Sequence, residues 1–509
     1  AGGLGPKAYA QAVAVYLGFA VDKCSDYWST ICSWINTIGA MRNTFARQAI
    51  PMVWDYAEVN SFSDSTGNWM AMVDWTWKAL SRLPAHGTGS VSQSDAQNQN
   101  ISLDKIVSTD PPYYDNIGYA DLSDYFYVWM RRSFRQIFSN ELSTLAVPKT
   151  EELVATQYRH GSKKAAEQFF LDGMTLAMNK ISDGSHLCYP ATIYYAFKQA
   201  EKEVEGTAST GWETFLDAVI RSGFTLGGTW PMRTEFGNRP VSDGANALAS
   251  SIVLVCRKRP DNAPTATRRE FINELKAKLP TALRHLQSGN IAPVDLAQAA
   301  IGPGMAVFTR YEKVLDAEGN KLTVREALAL INQTLDEVLA EQEGDFDADT
   351  RWALVWFEEN GFEPGEYGRA EQLSKAKNTS ISEMADPKTS PILEAKGGNV
   401  RLFRPAELEE DWSPESDGRL TIWDMVHQLI RVLEKDGEIA AAGIVKKLGA
   451  KAETARELCY RLYTICERKK RANDALSYNA LVQSWPEIVR LAAEQATSTG
   501  GEEQILPGM

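Results

Sequence analysis

The segment "IVSTDPPY", from Ile106 to Tyr113, constrains the local fold more than any other part of the chain. An apolar run is followed within a few residues by Asp110 and two consecutive prolines. Each proline lacks the N–H that a β-ladder needs and has a fixed φ, so a strand must end here in a rigid corner. The corner is poor in hydrogen-bond donors and is flanked by a carboxylate and a tyrosine.

Composition places the chain among ordinary globular proteins. It has 509 residues, of which 44% are hydrophobic and 23% charged, enough for several domains with their own cores. The six cysteines form no CxxC pair and no cysteine–histidine ligand spacing, which predicts reduced thiols and no metal site. No run of eighteen apolar residues and no signal-peptide pattern occurs. We therefore expect no membrane insertion and a cytoplasmic location.

The net charge of −13 argues against a protein that coats nucleic acid without specificity. Basic clusters occur around Arg131, Arg159, Arg257 and Arg468. Each cluster fits either a solvated helix face or part of a basic groove on an acidic body.

Hydrophobic periodicity predicts helices up to about residue 83 and an alternation of strands and helices from Lys105 onward. Predicted helices cover 123–138, 162–181 and 211–223; predicted strands cover 105–108, 191–197, 224–235 and 249–258. This order predicts an α/β fold with a parallel sheet closed by an antiparallel hairpin.

Beyond Pro260 the pattern is mainly helical. Two short helical stretches, 370–376 and 380–385, precede a hairpin with a Gly397-Gly398 turn. That order resembles a winged helix, a common DNA-contacting module. A small helical linker with a β-hairpin fits the same pattern equally well.

The corner suits one kind of chemistry. The exocyclic amino group of a base is a poor nucleophile, because its lone pair is delocalised into the ring. Two acceptors that take its two protons favour a tetrahedral nitrogen and stabilise the developing charge. The Asp110 carboxylate and the Pro111 carbonyl are candidates for these acceptors, and Pro112 keeps the corner rigid. Tyr113 can stack on a base that has been swung out of the duplex.

Asp-Pro-Pro-Tyr at a strand end resembles the catalytic motif of amino-methyltransferases that modify adenine N6 or cytosine N4 in DNA. The segments "ELVATQYRHGSKKAAEQFF", "GTASTGWETFLDAVIRSGF" and "NIAPVDLAQAAIGPGMAVF" resemble large bacterial adenine-specific DNA methylases that carry an N-terminal domain of unknown function and often lie beside phage-defence genes. The similarity extends over nearly all of the chain. An asparagine in place of Asp110 would resemble enzymes that act on RNA guanine or protein glutamine.

This resemblance implies a partial Rossmann-like, S-adenosylmethionine-dependent methyltransferase sheet with a terminal antiparallel hairpin, and a large helical C-terminal region. The expected division is a helical segment (1–83), the methyltransferase core (84–260), a helical region (261–345), the winged-helix candidate (346–405) and a helical C-terminal domain (406–509). Double-stranded DNA is the expected substrate. A defence-system ATPase, helicase or nuclease is an expected partner.

The resemblance also implies further site residues. Asp110 and Asp95, in "SVSQSDAQN", would lie near the methyl donor, although an Asp in a polar loop is commonly only solvated. Tyr114 is expected to contact DNA. The loop "YRHGSKK" would contact phosphates through Arg159, Lys163 and Lys164, and a free surface loop is the alternative.

One expected motif is absent. A methyl donor needs a glycine-rich turn after the first strand, so that it can approach the backbone closely. Gly2 to Gly5 have no preceding strand, and Gly302 to Gly304 follow a helical pattern. The resemblance implies that the turn lies in an N-terminal half or in a partner subunit. Three hypotheses result: a DNA amino-methyltransferase, most consistent with adenine N6; a non-catalytic DNA-binding or scaffold component of a defence complex; and methyl transfer to RNA or protein.

Overall fold

The structure is a computed structural model that describes residues 3–46, 49–50, 52–54, 57–83, 89–114, 117–195, 210–233, 250–289 and 291–499. The chain divides into two compact units. The first unit comprises Ala1–Lys105, Pro112–Ser185 and Thr210–Ser222, and the second comprises Ile106–Pro111, His186–Ser209 and Gly223–Met509. The five-segment division drawn from the sequence stays a prediction.

The first unit is mainly helical. Its helices are α1 (Pro6–Ser25), α2 (Trp69–Arg82), α3 (Tyr119–Phe134), α4 (Gln157–His160), α5 (Lys163–Gly184) and α6 (Thr210–Arg221). Local sequence explains their starts: α1 has proline in its first turn, and the Asn68 side chain caps α2 by accepting from Ala71 N at 2.7 Å. A small hairpin of β1 (Ser33–Ile35) and β2 (Ala40–Arg42), which periodicity did not predict, separates α1 from α2.

The second unit begins with a four-stranded mixed sheet. Its strands are β3 (Ser108–Thr109), β4 (Ala191–Tyr195), β5 (Phe224–Arg233) and β6 (Ser250–Lys258), in the order β3-β4-β6-β5. The β3–β4 pair is parallel, and the other two pairs are antiparallel. The predicted combination of a parallel pair with a terminal antiparallel hairpin is therefore present. Residues 196–197 of the predicted strand lie outside the described residues.

A helical layer follows in the second unit. Its elements are β7 (Thr265–Thr267), α7 (Arg268–Ser288), α8 (Pro293–Thr309), β8 (Lys313–Leu315) and α9 (Val324–Glu341), followed by a 3₁₀ turn at Gln342–Asp345. Thr323 and Glu326 form a capping box that starts α9. Helix α8 lies against β5, where Leu226 N donates to Thr309 Oγ1 at 2.9 Å. A Cβ at Gly302 would lie 1.9 Å from Thr229 Oγ1, so glycine is required for this close approach.

The next module alternates helices with three short strands. It contains α10 (Ala348–Asn360), β9 (Gly365–Glu366), α11 (Tyr367–Lys377), α12 (Ile381–Met384), β10 (Leu393–Lys396) and β11 (Asn399–Leu402). The three strands form a sheet in the order β10-β11-β9. Gly397 and Gly398 have φ values of 59° and 79° at the hairpin tip, which is the geometry that the Gly-Gly pair predicts.

Three long helices complete the second unit: α13 (Ile422–Leu448), α14 (Lys451–Arg468) and α15 (Ala472–Thr499), preceded by a 3₁₀ turn at Pro405–Glu407. Their shared core contains large, fully buried aromatic side chains, among them Trp423, Tyr460 and Trp485. Gly437, with φ 81°, interrupts α13. The coarse expectation of an α/β protein with a helical C-terminal region is confirmed. No helix in the described part of the chain combines the length and apolar character that a membrane crossing requires.

Candidate functional site

The first half of the proline corner belongs to the second unit. Thr192 N, on β4, donates to Val107 O at 2.9 Å, and Ser108 and Thr109 pair in register with Thr192 and Ile193. The Asp110 residue, which follows β3 directly, is exposed, and Pro111 is buried. A carboxylate therefore stands at the carboxyl end of a parallel strand, which is where ligands bind in open α/β sheets.

The second half of the motif belongs to the first unit, because the boundary between the units falls between Pro111 and Pro112. Pro112 and Tyr113 are half-buried. Tyr114 N donates to Pro112 O at 3.2 Å, which closes a tight turn. Tyr113 is thus the more exposed of the two tyrosines and the one with surface available for stacking on a base.

Tyr114 is buried and adopts the left-handed conformation, with φ 50°. Its ring packs edge-on against Phe170 of α5, with ring centroids 5.3 Å apart. Its carbonyl accepts from Ala155 N at 2.9 Å. A contact of Tyr114 with DNA stays a prediction, and it would require ring surface that this packing covers.

Arg159 lies inside an ion-pair network of the first unit rather than on its open surface. Its guanidinium contacts Glu152 Oε2 at 2.5 Å and Asp121 Oδ2 at 2.6 Å, and its side chain is only 11% exposed. Tyr158 also donates to Asp121 Oδ2, at 2.5 Å. This hydrogen bond and the Arg159 guanidinium hold the pKa of Asp121 below its ordinary value. Burial opposes the charge of Arg159, but its hydrogen bonds to Glu152 and Asp121 outweigh burial and raise its pKa.

Lys163 and Lys164 occupy the first turn of α5, and both are exposed. Lys163 Nζ lies 3.9 Å from Glu167 Oε1, a loose contact at the surface. Cations at a helix N-terminus oppose the helix dipole, so these lysines do not serve the stability of α5. Their assignment to phosphates stays a prediction.

Asp95 stabilises its own turn. Its two carboxylate oxygens accept from Gln97 N and Asn98 Nδ2, each at 2.9 Å, and the residue is exposed. This is the usual behaviour of an Asp at a turn. The assignment of Asp95 to the methyl donor stays a prediction.

The glycines do not form a donor-binding turn in the described residues. Gly302 and Gly304 lie within α8, where a Cβ on either would overlap Thr229 or Ile331. Gly5 is the N-cap of α1, and Gly2 lies outside the described residues. Within the described ranges, no strand is followed by a glycine-rich turn that opens a helix.

Sequence reasoning missed Glu152 and Asp121. They lie 31 positions apart in the chain, and no spacing rule links them to Arg159. The available signal is weak: Asp121 is acidic in the first turn of α3, where the helix dipole favours it.

The family model described as Domain of unknown function (DUF8807) matches residues 347–505, which include the module from α10 to β11 and the three long helices. No curated protein and no solved structure matched the chain.

Proposed function

We propose that the protein is a DNA amino-methyltransferase that transfers a methyl group from S-adenosylmethionine to the exocyclic amino group of a flipped base, with adenine N6 as the expected target. One observation carries the proposal. Asp-Pro-Pro-Tyr directly follows β3, which pairs in parallel with β4 in a sheet that ends in the β5–β6 hairpin. This supports the Rossmann-like methyltransferase fold that the resemblance implies.

The role of this chain is to hold the acceptor base. The exposed Asp110 carboxylate accepts a hydrogen bond from one N–H of the amino group, and the Pro111 carbonyl accepts a hydrogen bond from the other N–H. The fixed φ of proline holds the Pro111 carbonyl, so this acceptor stabilises the charge that develops on nitrogen without reorganising. Tyr113 holds the extruded base by stacking, which offsets part of the unstacking cost.

Donor binding needs a glycine-rich turn, and the described residues show none between a strand and a helix. We assign it to an N-terminal half or a partner subunit that supplies a glycine-rich loop. Double-stranded DNA is the second partner, and a restriction-modification or phage-defence setting in the cytoplasm is the context that the sequence resemblance favours. An ATPase, helicase or nuclease of such a defence system is the third expected partner.

The test is methyl transfer by the complete protein. Labelled S-adenosylmethionine is incubated with duplex DNA, with RNA and with protein substrates, and the products are digested and identified by mass spectrometry. N6-methyladenine in DNA is the expected product. Label in cytosine N4 would keep the chemistry and change the base, whereas label only in RNA or protein would reject the proposal.

A second candidate is a non-catalytic DNA-binding or scaffold component. The order α10, β9, α11, α12 and the β10–β11 hairpin favours it, because a winged helix has this order and contacts DNA. Calorimetric titration of the chain with S-adenosylmethionine and with DNA separates the two. DNA binding without any donor binding or methyl transfer, even with candidate partners added, would favour the scaffold.

A further inference from the structure

Tyr114 is held in a conformation that a bulky residue adopts only under constraint. Its φ of 50° lies in the left-handed region, which is sterically disfavoured for a residue with a side chain. Such a residue persists only where its surroundings over-determine it. Three neighbours do so here: the Ala155 N–H on its carbonyl, the Phe170 ring in a T-shaped pair with its own ring, and Gly211 of α6, where an added Cβ would lie 2.9 Å from Tyr114 ring atoms.

The backbone that supplies the Ala155 N–H is itself tied to α3. Glu152 Oε1 accepts from Ala120 N at 2.9 Å, in the first turn of α3. One turn further along, Asp124 accepts from Val147 N at 2.8 Å and pairs with Lys149 at 2.6 Å. The segment 147–159 is therefore fixed along α3 by acidic side chains at both of its ends.

Arg159 adds further contacts between the segment 147–159 and α3. It contacts Glu152, which holds the segment, and Asp121, which belongs to α3, and it also donates to Lys149 O at 3.2 Å. With carboxylates on two sides and 11% exposure of its side chain, the guanidinium has little surface left for a phosphate. Lys163 and Lys164, which follow Arg159 closely in the chain, are in contrast exposed.

We propose that Arg159, together with Glu152 and Asp121, is a positioning group that keeps Ala155 against the Tyr114 carbonyl and so fixes the direction in which Tyr113 presents its ring to the flipped base. The proposal rests on the proposed function and deepens it. It moves Arg159 from the DNA-contacting residues to those that act through another residue. Tyr114 is the link, since its constrained backbone adjoins Tyr113 directly.

The experiment uses the complete protein and two matched duplexes: one has adenine at the target base and gives kcat for methyl transfer, and the other has 2-aminopurine there, whose fluorescence rises when the base is extruded and unstacked. DNA affinity is measured over a range of salt concentrations in parallel. For Arg159→Lys, which keeps the charge and loses the two-sided contact, we expect unchanged DNA affinity and salt dependence. We expect the flipping signal and kcat to fall about tenfold or more, because small misplacements at a reacting site are costly.

Gly211→Ala tests the same link from the opposite side. A Cβ there would lie 2.9 Å from two Tyr114 ring atoms, so the ring must shift without any change of charge. Gly89→Ala is the matched control in the same unit, because a Cβ at that position meets nothing within 4 Å. We expect Gly211→Ala to reproduce the loss of flipping and Gly89→Ala to behave as wild type. Thermal unfolding of each variant reports whether it has folded, and Gly211→Ala decides the question if Arg159→Lys does not fold.

Two outcomes would overturn the proposal, and they differ from failure of the proposed function. Arg159 would be a phosphate contact if Arg159→Lys flipped the base normally while Arg159→Ala lowered the salt slope by about 1, as loss of one phosphate contact does. If the Gly211→Ala variant extruded the target base normally, Tyr114 would not be the link between Arg159 and Tyr113. If wild type itself bound DNA but gave no 2-aminopurine signal and no methyl transfer, the proposed function would fail first.

Discussion

The N-terminal part of the first unit and the C-terminal helices of the second unit use tryptophan in opposite ways. In the second unit, Trp352 and Trp423 are at most 1% exposed, within the module from α10 to β11 and the three long helices. In the first unit, Trp54 is 89% exposed, and Trp75 and Trp77 on α2 are about two-thirds exposed, at 66% and 64%. The C-terminal helices thus bury their own apolar faces, whereas the first unit leaves large apolar side chains uncovered. Surfaces of this kind are typical of protein–protein contacts.

Helical periodicity alone does not show whether the apolar face of a helix is buried or exposed. The apolar stripe of α1 is covered near its C-terminal end, where Ala20 and Cys24 pack on Met72 of α2. Nearer its N-terminal end, Tyr9 and Leu17 are exposed. The uncovered side chains of the first unit agree with the assignment of donor binding to an N-terminal half or a partner subunit.

The largest effect expected from this comparison is a difference between two tryptophans. Trp423→Ala should lower the free energy of unfolding of the C-terminal helices by about 3–5 kcal/mol, because it leaves a cavity in a closed core. Trp54→Ala should change the stability of the first unit by no more than about 0.5 kcal/mol. Denaturant-dependent hydrogen exchange, read separately in peptides of each unit, measures both. Equal losses would show that the first unit is packed more tightly around Trp54 than its exposure indicates.

A second effect concerns His427 of α13, which is fully buried in the core of the C-terminal helices. Its Nδ1 lies 2.7 Å from Trp423 O and its Nε2 lies 3.0 Å from Tyr478 Oη, and burial lowers the pKa of His427 from 6.5 to about 4. Between these two values the unfolded chain binds more protons than the folded one, so stability falls as the pH falls through this window. The loss is about 3 kcal/mol over the window, at about 1.4 kcal/mol for each pKa unit.

Unfolding of the C-terminal helices at pH 7, 5.5 and 4.5 checks this expectation. His427→Gln should flatten the pH dependence, while His285→Gln, at an exposed position, should leave it unchanged. A wild-type slope that survives in His427→Gln would assign the dependence to other groups.

The smallest effect concerns Asp424, near the start of α13. Burial, with the nearby negative charge of Asp417 in second place, raises the pKa of Asp424 well above its ordinary value. A group whose pKa is raised by folding stabilises at low pH, and that contribution is lost as the pH rises through the folded value. Asp424→Asn keeps an oxygen for the Thr421 hydroxyl, which now donates to Asp424 Oδ2 at 3.0 Å, and removes the buried charge.

We therefore expect Asp424→Asn to stabilise the C-terminal helices by roughly 1 kcal/mol at neutral pH, the scale of one net hydrogen bond, and by less in acid. Asp411→Asn, at an exposed position, is the control and should change nothing. Urea unfolding at two pH values measures the difference. Destabilisation by Asp424→Asn at neutral pH would mean that the carboxylate is needed in its charged form.

The elements that could be predicted are those specified locally. The Gly397-Gly398 turn and the helices around the proline corner follow from side-chain chemistry and periodicity within a few residues. The positions of Tyr114 and Arg159 could not be predicted in this way. Arg159 pairs with Asp121, which lies 38 positions earlier in the chain, and Tyr114 takes a conformation that its residue type disfavours. Both depend on contacts between distant segments, which a local pattern does not contain.

The most direct test of the central claim is the amount of N6-methyladenine in DNA treated with the complete protein, compared between wild type and Asp110→Ala. If Asp110 accepts a hydrogen bond from the reacting amino group, the variant should fold and bind DNA as wild type does and should lose about 10²–10³-fold in methyl transfer, the loss typical of removing one preorganised group at a reacting centre. Methylation by Asp110→Ala at the wild-type rate would contradict the role given to the corner.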